Sequence, residues 1–330
     1  MQHTSKVVWG IIGCGDVAEV KSGPAFQKLN HSELHAVMRR NTEKAQDFAS
    51  RHQVPKWYNN ADELLKNEYI NSIYIATPPS THLEYTIRAL EAGKNVYLEK
   101  PMALSYKQAK KITAAVEKYN SKLTLAHYRR HLPAFLKARQ LLNSEVIGEV
   151  RFADIQVLQP IKSALVADSE TNWRVDSAIS GGGYFHDLAP HQIDLMCYFF
   201  GPYDTAHGFS AGQDNTYKAD DIVNGIISFQ NGVQCRGVWC FNTAEENKKE
   251  SCIIYGSKGR IEFSFFGDVV KLIMENKTEE FRFKNIPQVQ QPMIARTIGY
   301  FLGKESNPCS SDEGLQVAKI MDIFCGISVS

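Results

Sequence analysis

Three polar side chains suited to acid–base chemistry stand in one short, otherwise apolar stretch. Asp187, His191 and Asp194 follow a run of three glycines at intervals of four and three residues, so on a helix all three lie on one face. Asp187 and Pro190 suit the first turn of a helix that runs to about Phe200. The other side chains of this helix are mainly apolar, which predicts a buried helix whose polar face is not a plain solvent-exposed surface.

An imidazole beside carboxylates suits alcohol and carbonyl redox chemistry. In that chemistry a base takes the hydroxyl proton while a hydride leaves carbon. The ordinary pKa of a histidine, about 6.5, lets it act in either direction near neutral pH. We therefore predict catalytic roles for His191 and Asp187.

Two other interpretations of this cluster stay open. His186, Asp187, His191 and Asp194 are residue types that bind metal ions, and they could instead form a buried structural network. No pattern of outer hydrogen-bond partners accompanies them, and the cofactor motifs described below need no metal. The sequence therefore predicts no metal site.

A lysine directly before a proline is the third candidate for catalysis. Lys100 follows Glu99 and precedes Pro101 at the end of an apolar segment. Proline holds the residue before it in an extended conformation, so the Lys100 ammonium should point into a cleft, where it could polarise or protonate a substrate oxygen. An ion pair between Glu99 and Lys100 at the end of the strand is the alternative.

A glycine-rich turn near the N-terminus predicts a dinucleotide site. The apolar run Val7–Ile12 leads into Gly-Cys-Gly-Asp-Val-Ala. In a Gly-x-Gly-x-x-Ala turn the first glycine makes the bend and the second lets backbone N–H groups approach a pyrophosphate. The helix that follows directs its positive end at that phosphate. The predicted cofactor contacts are Gly13, Gly15, Asp16, Val17 and Ala18.

The end of the second predicted strand indicates which dinucleotide is bound. NAD-dependent proteins usually carry an acid there for the ribose 2′-hydroxyl, whereas this chain has Arg39 and Arg40. Two guanidinium groups suit a 2′-phosphate through charge-assisted hydrogen bonds and stacking on adenine. Two solvent-facing arginines at a helix start are the alternative. The sequence favours NADP(H), with NAD(H) as the second choice.

A turn after the fourth predicted strand completes the predicted cofactor site. Thr77, Pro78 and His82 stand at the carboxyl edge of the sheet, where cofactors lie in open α/β folds. Glu99 and Lys100, at the same edge, are added to this set. His82 could instead be an ordinary residue of the first helical turn.

Two kinds of segment must position these residues. Up to about residue 127, short apolar strands alternate with amphipathic helices, which predicts a parallel, doubly wound sheet with right-handed crossovers. Longer β-rich stretches follow after Pro133 and predict a large, mostly antiparallel open sheet with helices, an α+β domain. The predicted strands of the first part are Val7–Ile12, Leu34–Met38, Trp57–Tyr58, Ser72–Ile75, Asn95–Leu98 and Leu123–Ala126. The predicted fold class is α/β, with one domain over residues 1–127 and another over residues 128–330.

Length and composition limit the function classes. A chain of 330 residues exceeds what one hydrophobic core usually supports, and a formal charge of +1 gives no general attraction for nucleic acid or anionic membranes. No apolar run approaches the ~20 residues of a membrane span, and the N-terminus does not resemble a signal peptide. Seven cysteines without a C-x-x-C pair suggest reduced thiols in a cytoplasmic protein.

The motifs together resemble the Gfo/Idh/MocA family of NAD(P)-dependent oxidoreductases, which includes glucose-fructose oxidoreductase and inositol dehydrogenase. The Gly-x-Gly-x-x-Ala turn, the Thr77-Pro78 turn, Glu-Lys-Pro, Trp173-Arg174, the three glycines and Asp-x-x-x-His-x-x-Asp occur in family order. The resemblance implies a Rossmann domain and a second domain for substrate binding and oligomerisation, whose open sheet often makes homodimers or homotetramers.

The resemblance also implies roles for single residues. Lys100 would lie beside nicotinamide and substrate, often with a cis peptide to Pro101, and would assist proton transfer. His191 would be the acid–base residue, although some members carry tyrosine there, and Asp187 would bind substrate hydroxyls or orient the histidine. Members that use NAD carry an acid at the position of Arg39, in agreement with the choice of NADP(H).

Four further residues are predicted to bind substrate. Tyr128 and Arg129 follow the sixth predicted strand, where the family's pocket lies, although an interdomain ion pair of the arginine is as plausible. Trp173 and Arg174 precede the glycines; an aromatic face beside a charged fork suits a ring with hydroxyls, and a loop anchor is the alternative.

The predicted activity is hydride transfer between NADP(H) and a small polyhydroxylated alcohol or carbonyl: a sugar, a sugar derivative or a cyclitol. A trans-dihydrodiol dehydrogenase with more apolar substrates is the alternative enzyme. A catalytically silent NAD(P)-binding sensor is the alternative from another class. The expected partners are a small-molecule substrate and further copies of the chain, with no nucleic acid and no membrane.

Overall fold

The chain forms two compact units in the computed structural model, which describes residues 5–161, 165, 172–214, 216–284 and 286–329. The first unit comprises the residues up to Tyr128 together with Ile286–Leu315, and the second comprises Arg129–Asn285 and the residues from Gln316 onward. The predicted boundary placed all of 128–330 in the second domain, whereas residues 286–315 group with the first compact unit.

The returning segment completes the edge of the first unit's sheet. The N–H of Leu125, in the last strand, donates to the carbonyl oxygen of Cys309 at 3.0 Å. The Asn307 amide donates to the carbonyl oxygen of Leu123 at 2.7 Å. An edge strand needs partners for its outer backbone groups, and residues 286–315 supply them. No local pattern in the sequence announces this pairing.

Strands and helices alternate through the first unit. The strands β1–β6 are Val7–Ile12, Ser32–Met38, Lys56–Tyr58, Ser72–Ile75, Asn95–Leu98 and Leu123–Leu125, and β7–β14 are Val150–Leu158, Tyr203–Ala211, Ile222–Phe229, Gln234–Cys240, Lys249–Gly256, Gly259–Phe263, Val269–Met274 and Lys277–Arg282. The helices α1–α10 are Gly23–Lys28, Thr42–Arg51, Ala61–Leu65, His82–Glu91, Tyr106–Tyr119, Pro133–Asn143, Ser177–Ser180, Gly183–Phe200, Gln291–Phe301 and Ser311–Phe324. Among the described residues, none of the helices has the length and apolar character needed to cross a membrane.

The first sheet confirms the predicted doubly wound architecture. Its six strands are all parallel, in the order β3-β2-β1-β4-β5-β6. This order reverses direction between β1 and β4, and ligands of open α/β sheets bind at the carboxyl ends of the strands at such a point. The Gly13 turn follows β1 and the Thr77 turn follows β4, so both predicted cofactor segments leave the sheet there.

The helix after the glycine turn has an irregular first part. Ala18–Ser22 is a π-helical segment, in which the N–H of Gly23 bonds back to the carbonyl oxygen of Ala18. Pro24, which has no N–H to donate, then stands in the first turn of α1. The missing donor accounts for the change of register between the two segments.

The second sheet confirms the predicted, mostly antiparallel architecture. Its eight strands have the order β14-β13-β12-β11-β7-β10-β9-β8, and β7 with β10 forms a parallel pair. Helices α6, α8 and the end of α10 cover one face of this sheet. Phe324 of α10 lies so close to Gly225 that a Cβ there would approach its ring to 2.2 Å. The opposite face carries exposed side chains, with Phe209 and Ile226 at 81% and 56% exposure.

Helix α8 begins four residues before its predicted start. The Ser180 side chain accepts a hydrogen bond from the N–H of Gly183 at 3.0 Å, and Gly183 has φ +76°, a conformation that favours glycine. The Ser180 hydroxyl therefore satisfies an N–H group at the start of the helix, and Pro190 lies inside the helix rather than in its first turn. Asp187 and His191 keep the predicted spacing of one helical turn.

Candidate active site

The glycine turn of the first unit has the geometry of a phosphate-binding loop. Gly13 has φ +96°, and a Cβ there would lie 2.8 Å from the backbone nitrogen of Thr77. A Cβ on Gly15 would meet nothing within 4 Å, so the backbone at Gly15 can be approached closely. The N–H of Glu19 donates to the carbonyl oxygen of Gly15 at 2.9 Å, which makes this the first helical hydrogen bond.

The backbone N–H groups at the start of this helix belong to residues that were predicted to contact the cofactor. In a helix the first N–H groups have no partner within the helix itself; here these belong to Asp16, Val17 and Ala18, whose residues follow Gly15 directly. Together with the open space at Gly15, they fit the pyrophosphate of a dinucleotide.

Arg39 lies at this turn, and Arg40 is exposed. A guanidinium nitrogen of Arg39 lies 3.4 Å from the carbonyl oxygen of Cys14, while Arg40 is open to solvent. Cys14 itself is buried, and burial raises the pKa of its thiol to about 11. The structure therefore places one of the two predicted arginines next to the glycine turn and keeps Cys14 a neutral thiol.

His82 joins two loops at the carboxyl edge of the sheet. Its Nε2 lies 2.8 Å from the carbonyl oxygen of Thr77, and its Nδ1 lies 2.9 Å from that of Pro101. The ring is fully buried, and burial lowers its pKa. Protein carbonyl oxygens thus face both ring nitrogens of His82, and its predicted cofactor contact stays a prediction. Pro78 precedes a short 3₁₀ turn, Pro79–Thr81, that leads to this histidine.

Glu99 holds the backbone of Lys100. The peptide bond between Lys100 and Pro101 is cis, as the resemblance implies. Glu99 is buried, and its Oε2 accepts a hydrogen bond from the N–H of Lys100 at 3.2 Å. Its Oε1 accepts from the Tyr74 hydroxyl at 2.6 Å. Both carboxylate oxygens of Glu99 therefore have partners inside the protein, and its predicted cofactor contact stays a prediction.

In the second unit, three predicted site residues meet. Nε of Arg174 donates to Oδ2 of Asp187 at 3.1 Å, and the Arg174 guanidinium lies 4.5 Å from the centroid of the Trp173 ring. The Arg174 side chain is 6% exposed and that of Asp187 15%. The short 3₁₀ turn Trp173–Val175 thus holds the carboxylate one helical turn before His191.

His191 is buried against an aromatic ring that sequence reasoning missed. The Phe266 ring lies 6.4 Å from the His191 ring between centroids and almost perpendicular to it. The available signal was an aromatic pair, Phe265-Phe266, at the end of a β-rich stretch. Phe266 gives the surroundings of His191 an apolar surface.

Arg129 anchors the loop that carries Phe266. Its Nη1 donates a hydrogen bond to the carbonyl oxygen of Phe265, and its guanidinium lies 4.1 Å from the centroid of the Phe266 ring. The side chain is buried. The Arg129 guanidinium thus contacts this loop, and its predicted binding of substrate stays a prediction.

Glu250 holds the same loop from the other side. Its oxygens accept hydrogen bonds from the N–H groups of Phe265 at 2.9 Å and Phe266 at 3.3 Å, and from the Ser264 hydroxyl. Burial raises the pKa of Glu250. The loop that carries Phe266 is thus held by the buried Arg129 and the half-buried Glu250.

Asp194 and His186 of α8 contact other groups of the second unit. Asp194 accepts hydrogen bonds from the buried Arg130, at 2.7 Å from Nη2 and 2.9 Å from Nε. His186 is buried with Nδ1 3.1 Å from the carbonyl oxygen of Gly182, and burial lowers its pKa to about 4. These contacts agree with the alternative of a structural network for these two residues. Tyr128, also buried, ends the first segment of the first unit.

Models of one protein family match both parts of the chain. The family model GFO_IDH_MocA, described as an oxidoreductase family with an NAD-binding Rossmann fold, matches residues 7–127. The model of the GFO/IDH/MocA C-terminal domain matches residues 135–262. Oxidoreductase P35 of Formosa agariphila is 51% identical over 322 residues, which cover 98% of this chain and 99% of that protein.

More distant similarities include named dehydrogenases. The trans-1,2-dihydrobenzene-1,2-diol dehydrogenase of Xenopus laevis is 27% identical over 86% of this chain and 83% of its own length. A levoglucosan dehydrogenase, solved with NADH and levoglucosan, matches with a TM-score of 0.85 at 22% identity, covering 97% of this chain and 96% of its own. At that identity the match shows a common fold.

Proposed function

Since the chain belongs to the GFO/IDH/MocA family of NAD-binding oxidoreductases, we propose that it transfers a hydride between NADP(H) and a small polyhydroxylated alcohol or carbonyl. The observation that carries the proposal is the Arg174–Asp187 ion pair one helical turn before the buried His191. Lys100, the third predicted catalytic residue, follows the carboxyl end of β5.

His191 is the proposed acid–base residue. In the oxidative direction its ring takes the proton of the substrate hydroxyl, and in the reductive direction it returns that proton to the carbonyl oxygen. The bound nicotinamide accepts or supplies the hydride. Asp187, held by Arg174, accepts hydrogen bonds from substrate hydroxyls, while the Lys100 ammonium donates to the reacting oxygen. Trp173 and Tyr128 complete the proposed set of substrate contacts.

The preference for NADP(H) rests on Arg39. Its guanidinium lies at the glycine turn. At the position of Arg39, after the second strand, the ordinary NAD-binding pattern has an acid. A cation at this position suits the additional charge of a 2′-phosphate. Arg40, which is exposed, can contribute a second, more weakly placed charge.

A polyhydroxylated substrate is favoured by the polar groups of the site, and a more apolar diol is the second candidate. A carboxylate and an arginine beside an aromatic face, here Asp187, Arg174 and Trp173, suit a sugar, a sugar derivative or a cyclitol. Phe266 beside His191 favours the second candidate, and one relative is named a trans-dihydrodiol dehydrogenase. The silent sensor fits less well, since Lys100, Asp187 and His191 are all retained.

Self-association through the open sheet face is part of the proposal. Phe209 and Ile226 are exposed on this face, and cross-strand register places the stacked rings of Phe152 and Tyr255, 4.5 Å apart, on the same side. Exposed apolar groups on a broad sheet favour a homodimer or homotetramer.

The cytoplasm is the proposed location, because the cysteines are thiols and not disulfides.

The deciding experiment follows cofactor absorbance while the purified protein meets aldoses, ketoses, inositols and trans-diols, with NADP(H) and NAD(H) in parallel. We expect turnover with NADP(H) on a polyhydroxylated substrate. Turnover on trans-diols alone would favour the second candidate. Tight NADPH binding without turnover on any of these compounds would favour the sensor.

A further inference from the structure

A buried chain of hydrogen bonds in the first unit converges on the side chain of Glu99. Oε1 accepts from the Tyr74 hydroxyl at 2.6 Å and from the Gln290 amide nitrogen at 2.5 Å. Glu99 and Gln290 stand 191 residues apart in the chain. Burying a carboxyl group and an amide is costly unless they are hydrogen-bonded, so these contacts specify where both side chains lie.

The Gln290 amide is itself held in one orientation. The Tyr97 hydroxyl donates to Gln290 Oε1 at 3.0 Å, which turns the amide nitrogen toward Glu99. The backbone is held as well, since the N–H of Ile294 donates to the Gln290 carbonyl oxygen at 2.9 Å at the start of α9. Gln290 is fully buried, and its amide is therefore pre-oriented before any ligand arrives.

This series of hydrogen bonds extends to the backbone of Lys100. The second oxygen of Glu99 accepts the N–H of Lys100, and on the other side the Pro101 carbonyl oxygen faces the buried His82. The backbone of the two residues is thus held at both ends. Displacing Glu99 would remove one of these two supports.

We propose that Gln290 is a positioning residue for Lys100 and that Gln290 acts through Glu99. Gln290 touches neither the Lys100 side chain nor any reacting atom in this assignment; it fixes the carboxyl group that holds the Lys100 N–H. The proposal rests on the proposed function for the catalytic role of Lys100. It gives the returning segment 286–315 a part in catalysis, beyond covering the edge strand.

The test compares Gln290→Leu with Gln291→Leu in the full-length protein. Leucine keeps much of the side-chain volume and removes the amide, and Gln291 is the adjacent residue of the same type, partly exposed in the first turn of α9. We measure kcat, KM, the Kd of NADPH by fluorescence, and the rate at which a trace of acetic anhydride acetylates Lys100, read by peptide mass spectrometry.

For Gln290→Leu we expect kcat to fall by about 10- to 100-fold, the size of effect that a misplaced catalytic group produces. The Kd of NADPH and KM should stay within about twofold of the wild type, because binding groups are not removed. Acetylation of Lys100 should change in rate, whereas other lysines keep theirs. Gln291→Leu should match the wild type in every readout.

Two outcomes would overturn the proposal: a folded Gln290→Leu protein with wild-type kcat and wild-type Lys100 acetylation, or equal losses in Gln291→Leu. If Gln290→Leu does not fold, Tyr97→Phe replaces it, since this change deletes only the hydroxyl that orients the amide. If the wild type has no turnover on any substrate, the proposed function fails, and the Lys100 acetylation rates still decide the positioning role.

Discussion

Nε of Arg174 lies 3.1 Å from Oδ2 of Asp187, and both side chains are mostly buried. Arg174→Met leaves the carboxylate without its cation, which in a buried pair costs about 3–5 kcal/mol of stability. We expect a large fall in both the free energy of unfolding and kcat/KM, measured by denaturant titration and steady-state kinetics. Arg174→Lys keeps the positive charge but not the forked guanidinium group, so it should lose less of the free energy of unfolding and of kcat/KM. Wild-type stability and activity in Arg174→Met would contradict this role.

His191→Asn should slow turnover by about 10²- to 10⁴-fold, the usual contribution of general acid–base catalysis. Asparagine is polar and smaller, so the buried helix face can accept it. The Kd of NADPH should stay near that of the wild type, because the proposed role of His191 is proton transfer with the substrate and not cofactor binding. His31→Asn, at an exposed histidine of the first unit, is the matched control. Full activity in His191→Asn would remove it as the acid–base residue.

Arg39→Asp should shift the cofactor preference from NADPH toward NADH. The change removes the cation beside the glycine turn and introduces a charge that repels a 2′-phosphate. The measurement is the ratio of kcat/KM values for the two cofactors. Arg40→Asp, at the exposed neighbour, should shift this ratio less. An unchanged ratio in Arg39→Asp would place the phosphate elsewhere.

Phe266→Ala should change the choice between substrates. It removes the apolar ring beside His191, so kcat/KM for substrates with an apolar ring face should fall by about 10-fold or more, or ~1–3 kcal/mol. For sugars the change should be small. Phe281→Ala, in β14, is the control for the loss of a partly buried ring. Equal losses for both substrate classes would show that Phe266 does not select between them.

Stability should decrease as the pH falls from about 6.5 to about 4, because burial lowers the pKa of His186 to about 4. In this window the unfolded chain binds a proton on that histidine and the folded protein does not, which costs roughly 3 kcal/mol in total. The buried His82, whose pKa is also lowered, contributes in the same direction. His186→Leu should flatten the curve of unfolding free energy against pH. Parallel curves for the variant and the wild type would contradict this account.

Local patterns were sufficient for the sheet of the first unit. Val7–Ile12, Ser72–Ile75 and Asn95–Leu98 are strands with the predicted bounds, because short apolar runs between glycine turns and amphipathic helices have few other conformations. The predicted start of α8 was wrong because Pro190 resembles a first-turn proline, while the helix begins at Gly183, whose N–H donates to the Ser180 hydroxyl outside the helix.

Roles that depend on distant contacts could not be predicted. The sequence places His82 and Glu99 at the correct sheet edge, but their partners are a carbonyl group after a cis peptide and an amide from residue 290. Phe266 lies beside His191 in a loop that Arg129 and Glu250 hold. Such pairings join residues far apart in the chain, and no spacing rule encodes them.

Because residues 286–315 belong to the first unit, that unit cannot be completed until late in the synthesis of the chain. During synthesis the N-terminal part leaves the ribosome first, yet the backbone partners of β6 and the amide that holds Glu99 emerge only after the whole second sheet. Until then the nascent chain carries an open strand edge, which can pair with other chains. A cofactor that binds the finished glycine turn would stabilise a unit whose remaining backbone partners are synthesised only after the second sheet.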